Sequence, residues 1–209
     1  GLDGAYRLPW VYLHGLKDYS DMAFHLEQHP RMRCVVNFAP VLLERLDDYA
    51  QQLSAFLQSG QAMQDRLLNL LAGIEPIPTD KEARAELITE CQRCHAPRMI
   101  HPHAAFQRLL KMIGATDEVG IGSKRFRCSL SYLSDQYFLD LLTWYHLAWM
   151  GQSLRDLPTI KRLIEQGSEF STADRRDLLV VMRDCLAGII PRYRALAVSG
   201  RVELSMTPY

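Results

Sequence analysis

Two groups of residues have the types and spacing to do chemistry. Cys91-Gln-Arg-Cys94-His95 carries two thiols three residues apart, with an imidazole directly after the second. In that pattern two thioethers anchor a porphyrin and the histidine ligates its iron. With His101 and His103 close behind, Cys91 and Cys94 also supply two thiolates and two imidazoles, the donor set of a tetrahedral zinc site. The gap from cysteine to histidine is shorter than in zinc fingers. The plain alternative is a pair of free thiols on neighbouring helical turns. The second group runs from Arg7 to Tyr49 and sets aromatic, histidine and asparagine side chains beside apolar ones, the kind of side chains that line a carbohydrate site.

The elements that must position these groups are nearly all helical. Trp10 to His29 carries an imperfect apolar stripe through Leu13, Leu16, Tyr19 and Leu26 that stops at Pro30. Cys34-Val-Val-Asn-Phe is a short β-branched run that reads as a strand, and Val202-Glu-Leu-Ser-Met after Ser-Gly is a second. Val41 to Leu57 repeats leucines at helical spacing, with Pro40 at its start and Gly60 closing it. Asp80 is placed to cap a helix through Leu87, and a further helix is expected from His103 to Met112. Gly114 to Gly122 reads as loop. Tyr132 to Trp149 is apolar on several sides, which predicts burial and makes Trp144 and Trp149 core residues. Ser171 and Asp174 have capping-box spacing before a long amphipathic run that contains Pro191 and ends at Gly200. Two strands alone do not make a stable sheet. The chain is therefore either all-α with two minor strands or a piece of a larger α/β domain with a helical insertion.

Lys plus Arg and Asp plus Glu each total 24, so the net charge is zero and no global field gathers nucleic acid or anionic lipid. No apolar run approaches the ~20 residues that span a bilayer, and Gly-Leu-Asp-Gly lacks the features of a secretory signal. A cytoplasmic location is expected, without nucleic-acid or membrane partners. The five cysteines, Cys34, Cys91, Cys94, Cys128 and Cys185, are an odd and scattered set, consistent with free thiols in a reducing compartment. Gly120-Ile-Gly-Ser-Lys lacks the strand and spacing of a phosphate loop, and no serine nucleophile elbow occurs.

Four segments carry a resemblance. Leu8-Pro-Trp-Val-Tyr-Leu-His-Gly-Leu-Lys-Asp-Tyr, Asn37-Phe-Ala-Pro-Val-Leu-Leu-Glu, Phe138-Leu-Asp-Leu-Leu-Thr-Trp-Tyr-His-Leu-Ala-Trp and Val202-Glu-Leu-Ser-Met-Thr-Pro-Tyr together resemble glycoside hydrolase family 57. That is the α-amylase, amylopullulanase and 4-α-glucanotransferase group, and the likeness runs in order from about Tyr6 to Tyr209. It implies an α/β fold, a (β/α)7 barrel that acts on α-glucans with retention. In that family a His-Gln-Pro strand precedes the Leu-Pro-Trp stretch, and the catalytic Glu and Asp lie on later strands. The resemblance thus implies a barrel fragment with a large helical insertion, mostly helical by residue count. Residues 1–209 would form part of a single catalytic domain, with barrel strands near 33–38 and 202–206 and a helical region over 41–199. Such a piece is expected to be inactive alone. Its partners would be an α-glucan or oligosaccharide and the remainder of its own catalytic domain.

In barrels of this kind substrate groups gather at the C-terminal ends of strands. That logic selects Trp10, whose flat face suits a pyranose, His14, one helical turn on, and Asn37, whose amide both donates and accepts. It selects no catalytic residue, cofactor or metal ligand in this chain. Asp18, Asp21, Asp47 and Asp48 read as solvated helix faces, because nothing in their spacing makes a carboxylate pair face itself across a glycosidic bond. The haem or zinc module at Cys91 and Cys94 is the rival reading.

Overall fold

The computed structural model describes residues 8–113 and 130–207; the loop expected at Gly114 to Gly122, and Cys128, lie outside them. In chain order the helices and strands are α1 Trp10–His14, a π-turn Gly15–Tyr19, α2 Ser20–Gln28, β1 Cys34–Phe38, α3 Pro40–Ser59, α4 Arg66–Ala72, α5 Lys81–Cys91, α6 Ala96–Met99 and α7 Ala104–Met112. A 3-10 turn at Leu130–Tyr132 follows, then α8 Asp135–Ala148, α9 Gln152–Arg155, α10 Pro158–Gln166, α11 Thr172–Val198 and β2 Val202–Met206. The architecture is mostly helical, with one small sheet.

Chain contacts group the protein into two compact units. The first comprises Gly1–Arg66, Met150–Lys161 and Arg176–Tyr209; the second comprises Leu67–Trp149 and Arg162–Arg175.

The first unit holds the sheet. β1 and β2 pair in parallel, with Cys34 opposite Val202 and Phe38 opposite Met206. Side chains alternate across a strand, so β1 buries Val36 and Phe38 and exposes Val35 and Asn37. Phe38 packs edge-on against Tyr193 of α11 at 4.9 Å and against Tyr19 at 6.2 Å between ring centres. One face of β1 is thus covered by helix, while β2 buries only Val202. Pro40 begins α3 where its missing N–H is not needed, and Gly60 ends it in the left-handed region at φ 74°. Leu46, Tyr49, Leu53 and Phe56 form its buried stripe.

The stripe from Trp10 is imperfect because the helix is not uniform. At Gly15–Tyr19 it widens, and the Ser20 N–H reaches back to the Gly15 carbonyl. Gly15 makes room for its neighbours: a Cβ would lie 2.6 Å from the Leu186 side chain of α11 and 3.0 Å from that of Leu46 of α3, so both would have to shift. The widened turn lets the Leu16 carbonyl accept from the Gly151 N–H at 3.0 Å and the Ser20 hydroxyl at 3.0 Å.

The same docking corrects the reading of Asp21 as a solvated carboxylate. Asp21 accepts from the backbone N–H groups of Gln152 at 2.7 Å and Ser153 at 3.0 Å, and from the Ser153 hydroxyl at 2.8 Å. It caps α9 from another element, satisfying donors that a helix start leaves open. Gly151 permits the approach, since a Cβ there would lie 2.5 Å from the carboxylate oxygen. Asp21→Ala is expected to cost about 1–2 kcal/mol in urea denaturation. Gly151→Ala should cost a similar amount by displacing the carboxylate, and the double variant should cost less than the sum of the two.

The second unit is built around α8. Ser134 caps it by accepting from the Tyr137 N–H at 3.3 Å, and Phe138, Leu141, Leu142, Tyr145 and Leu147 are fully buried. Trp144 is also buried and donates through its indole N–H to the Gly167 carbonyl at 2.7 Å, so it is a core residue as expected. Asp140 accepts from the backbone N–H groups of Glu169 and Phe170, each at 2.9 Å. Asp80 caps α5 through the Ala83 N–H at 2.8 Å. Ser171 and Asp174 cap reciprocally: the Asp174 N–H donates to the Ser171 hydroxyl, and the Ser171 N–H to the Asp174 carboxylate. That carboxyl is held far below its ordinary pKa, first by the Arg162 guanidinium that donates to it.

Candidate functional site

The site residues expected from sequence lie in the first unit, on α1 and β1. α2 ends at Gln28 and the short link 29–33 leads into the start of β1, while Tyr19 packs against Phe38 at the strand's far end. The helix therefore runs antiparallel to the strand. Trp10 lies nine residues before Tyr19, roughly 13 Å further along at ~1.5 Å per residue. Trp10 and His14 therefore precede, on this helix, the turn that packs on Phe38 at the end of β1.

Trp10 is half-buried, and its ring centre is 6.5 Å from that of His14, with the planes tilted by 51°. The opposite face of this segment, Tyr12, Leu13 and Leu16, is fully buried, which fixes the rotation of the helix. His14 is hydrogen-bonded through Nδ1 to the Asp18 carboxylate, to which Lys17 also donates at 3.2 Å. Partial burial raises the pKa of the Asp18 carboxyl, but the hydrogen bonds from His14 and Lys17 and their charge outweigh it and hold it below the ordinary value.

Asn37 is exposed on the sheet face opposite Phe38. Its amide donates to the Thr207 hydroxyl at 2.7 Å, tying the end of β1 to the residue that follows β2. The structure thus brings Trp10 and His14 together and sets Asn37 apart on the strand. Thr207 escapes the sequence reading, and Asp18, read there as a solvated helix face, is instead engaged by His14 and Lys17. Thr207 becomes visible only through the strand register; Asp18 carries a local signal, its position four residues after His14.

Around the π-turn, other groups are already committed. The Tyr193 hydroxyl donates to the Tyr19 carbonyl at 3.0 Å, and burial pushes its pKa upward. Glu27 accepts a two-pronged bond from Arg192 at 2.9 and 2.7 Å, which holds its carboxyl below the ordinary value.

The Cys91–Cys94 segment lies in the second unit and has a different character. Cys91 is the last residue of α5, fully buried, and burial pushes its thiol well above the ordinary pKa. Burial likewise pushes Cys94 up to about 11. A metal ligand needs the thiolate, which such surroundings disfavour. Among the described residues no three His, Cys, Asp or Glu side chains come together to hold a metal ion. The four-residue zinc set of Cys91, Cys94, His101 and His103 is therefore not assembled among the described residues. Also among the described residues, no helix is long and apolar enough to cross a membrane.

No curated protein and no solved structure matches this chain. The family model for glycosyl hydrolase family 57 matches residues 2–209, essentially the whole sequence. A mostly helical chain with one parallel strand pair agrees with that match: the chain belongs to glycosyl hydrolase family 57.

Proposed function

We propose that this chain is part of the catalytic domain of a retaining α-glucan hydrolase or glucanotransferase, with β1 and β2 as two strands of a (β/α)7 barrel and residues 41–199 as its helical insertion. Family 57 membership makes the whole protein a glycoside hydrolase or glucanotransferase acting on a glycan. The observation that carries the finer reading is the parallel pairing of β1 with β2, in which β1 is covered by helix on one face while β2 is exposed beyond Val202. Parallel sheets in α/β proteins are covered on both faces and have more strands than two, which supports reading this pair as a slice of a larger sheet.

Trp10 stacks on the apolar face of a glucose ring, His14 bonds a hydroxyl beside it, and Asn37 bonds another at the strand end. The carboxylate nucleophile and the acid that protonates the leaving oxygen come from the remainder of the domain. Two observations favour that division. Asp18 is engaged by His14 and Lys17, and Asp21 is spent as a helix cap, so neither is poised to attack an anomeric carbon. This chain therefore contributes the wall of the cleft.

The test is an α-glucan assay on the full-length protein with linkage analysis of the products. Turnover of α-1,4-linked malto-oligosaccharides is expected, and Trp10→Ala should raise KM about 10-fold with the smaller effect on kcat. The isolated 209-residue chain should show no turnover. No activity of the full-length protein on any α-glucan would refute the reading.

A further inference from the structure

The π-turn places a carboxylate behind the imidazole of the proposed substrate wall. Trp10, His14 and Asp18 follow one another at four-residue spacing along one side of α1 and the π-turn, and His14 Nδ1 is bonded to the Asp18 carboxylate. The pair is reachable: the His14 and Asp18 side chains are 44% and 46% exposed, although the backbone beneath them is anchored in the core. Among the described residues, the groups whose charge acts on the Asp18 carboxyl are Lys17 and His14, both of this same helix.

We infer that Asp18 is a positioning residue for His14 in glucan binding: it keeps the ring's Nδ1–H facing the carboxylate, so that a bond from the ring to a sugar hydroxyl runs through Nε2, which accepts when the ring is neutral. This rests on the reading of the site as an α-glucan cleft. A carboxylate accepts only, so a neutral imidazole beside it keeps its proton on the facing nitrogen. The same bond fixes the plane of the ring, as an outer carboxylate does for a metal-bound histidine. Here the beneficiary is a hydroxyl donor, and the Trp10 ring 6.5 Å away supplies the stacking surface next to it. Lys17 donates to the other Asp18 oxygen at 3.2 Å, which leaves the oxygen facing His14 in place.

Two measurements on the full-length enzyme test this, with maltoheptaose as the probe. The first is the ¹⁵N spectrum of the His14 ring at a pH where it is neutral. Wild type and Lys17→Ala should show the Nδ1–H form, and Asp18→Ala should move the ring toward the Nε2–H form. The second is a kinetic cycle. Asp18→Ala should raise KM about 5-fold with kcat little changed, as expected for loss of one ground-state hydrogen bond. In a His14→Ala background the same substitution should have almost no effect, because the residue through which it acts is gone. A merely structural role for Asp18 predicts additive effects and an unmoved tautomer, and either result overturns the inference alone. Failure of the wild-type enzyme to turn over any α-glucan overturns the proposed function and, with it, this inference.

Discussion

Arg84→Ala is expected to lower the unfolding free energy by about 3–5 kcal/mol, well above the cost of losing a helix cap such as Asp21. Arg84 is 9% exposed and spends its guanidinium on backbone. Nε donates to the Pro78 carbonyl at 2.7 Å, and Nη1 donates to the carbonyls of Leu130 at 3.1 Å and Leu133 at 3.0 Å. Nη2 reaches Asp135 at 3.1 Å, but that carboxylate is 67% exposed, so the ion pair contributes little. The guanidinium carbon also sits 4.9 Å from the centre of the Phe138 ring. Truncation would take the donor from three carbonyls at once, and an unmade bond in a dry site costs more than a made one contributes. Arg84→Lys should recover less than half the loss, because an ammonium lacks the planar fork that serves several carbonyls together. Urea denaturation of both variants checks this, and a loss below about 1 kcal/mol for the alanine variant would remove Arg84 from the role of pinning the entrance to α8.

Stability should also fall steeply on mild acidification, and His146 is the reason. The ring is fully buried on α8, donates from Nδ1 to the Leu142 carbonyl at 2.7 Å, and is pushed by burial down to a pKa of about 4. The backbone bond to Leu142 works in the other direction and is the weaker influence. An unfolded chain protonates its histidine near pH 6.5, so between pH 6.5 and 4 the unfolded state binds the extra proton. Stability is then complete above about pH 6.5, declines as the pH falls, and levels off below the folded value. Across the whole window the loss is on the order of 3 kcal/mol. The depressed carboxylates Asp18 and Asp174 act lower, losing their contribution only below their ordinary value of 3.8. The interval from pH 6.5 to 5 therefore reports on histidine. Denaturation at several pH values in that interval should give a slope that His146→Leu flattens, and an equal slope in the variant would assign the effect elsewhere.

How much of the fold was legible in the sequence depended on how far away each residue's partner lies. Capping is local: Asp80, Ser171 with Asp174, Pro40 and Gly60 declare helix boundaries within a few residues, and the structure has them there. The strands were readable for the same reason, as short β-branched runs between breakers, and their parallel pairing agrees with the larger-sheet reading. The π-turn was not readable. A widened turn slips the apolar stripe by one position, which in sequence looks like a weak helix, and the leucines that crowd Gly15 there, Leu186 and Leu46, are distant in the chain. Asp21 and Arg84 resisted for a related reason. Their distant partners lie 131 and 132 residues away in one case and 46 to 51 in the other, so Asp21 read as a solvated helix face and nothing local singled out Arg84. At the candidate site, Trp10 and His14 were found through spacing and family likeness, and Asp18 shared that spacing but was set aside. Asn37 was found on the strand, whereas Thr207 needed the register to reveal it.

The strand pair has a kinetic meaning as well. Cys34 meets Val202 only after the chain between them has been gathered, and closing so long a loop carries an entropic cost that a few ladder bonds do not repay early. The first unit is assembled from three separate stretches, and the last of them carries β2. On a ribosome, β1 must therefore wait without β2 while every helix from α3 to α11 is synthesised. Pairing with β2 therefore comes late relative to α3 through α11, and until it happens, that edge of β1 is open to pairing with the wrong strand.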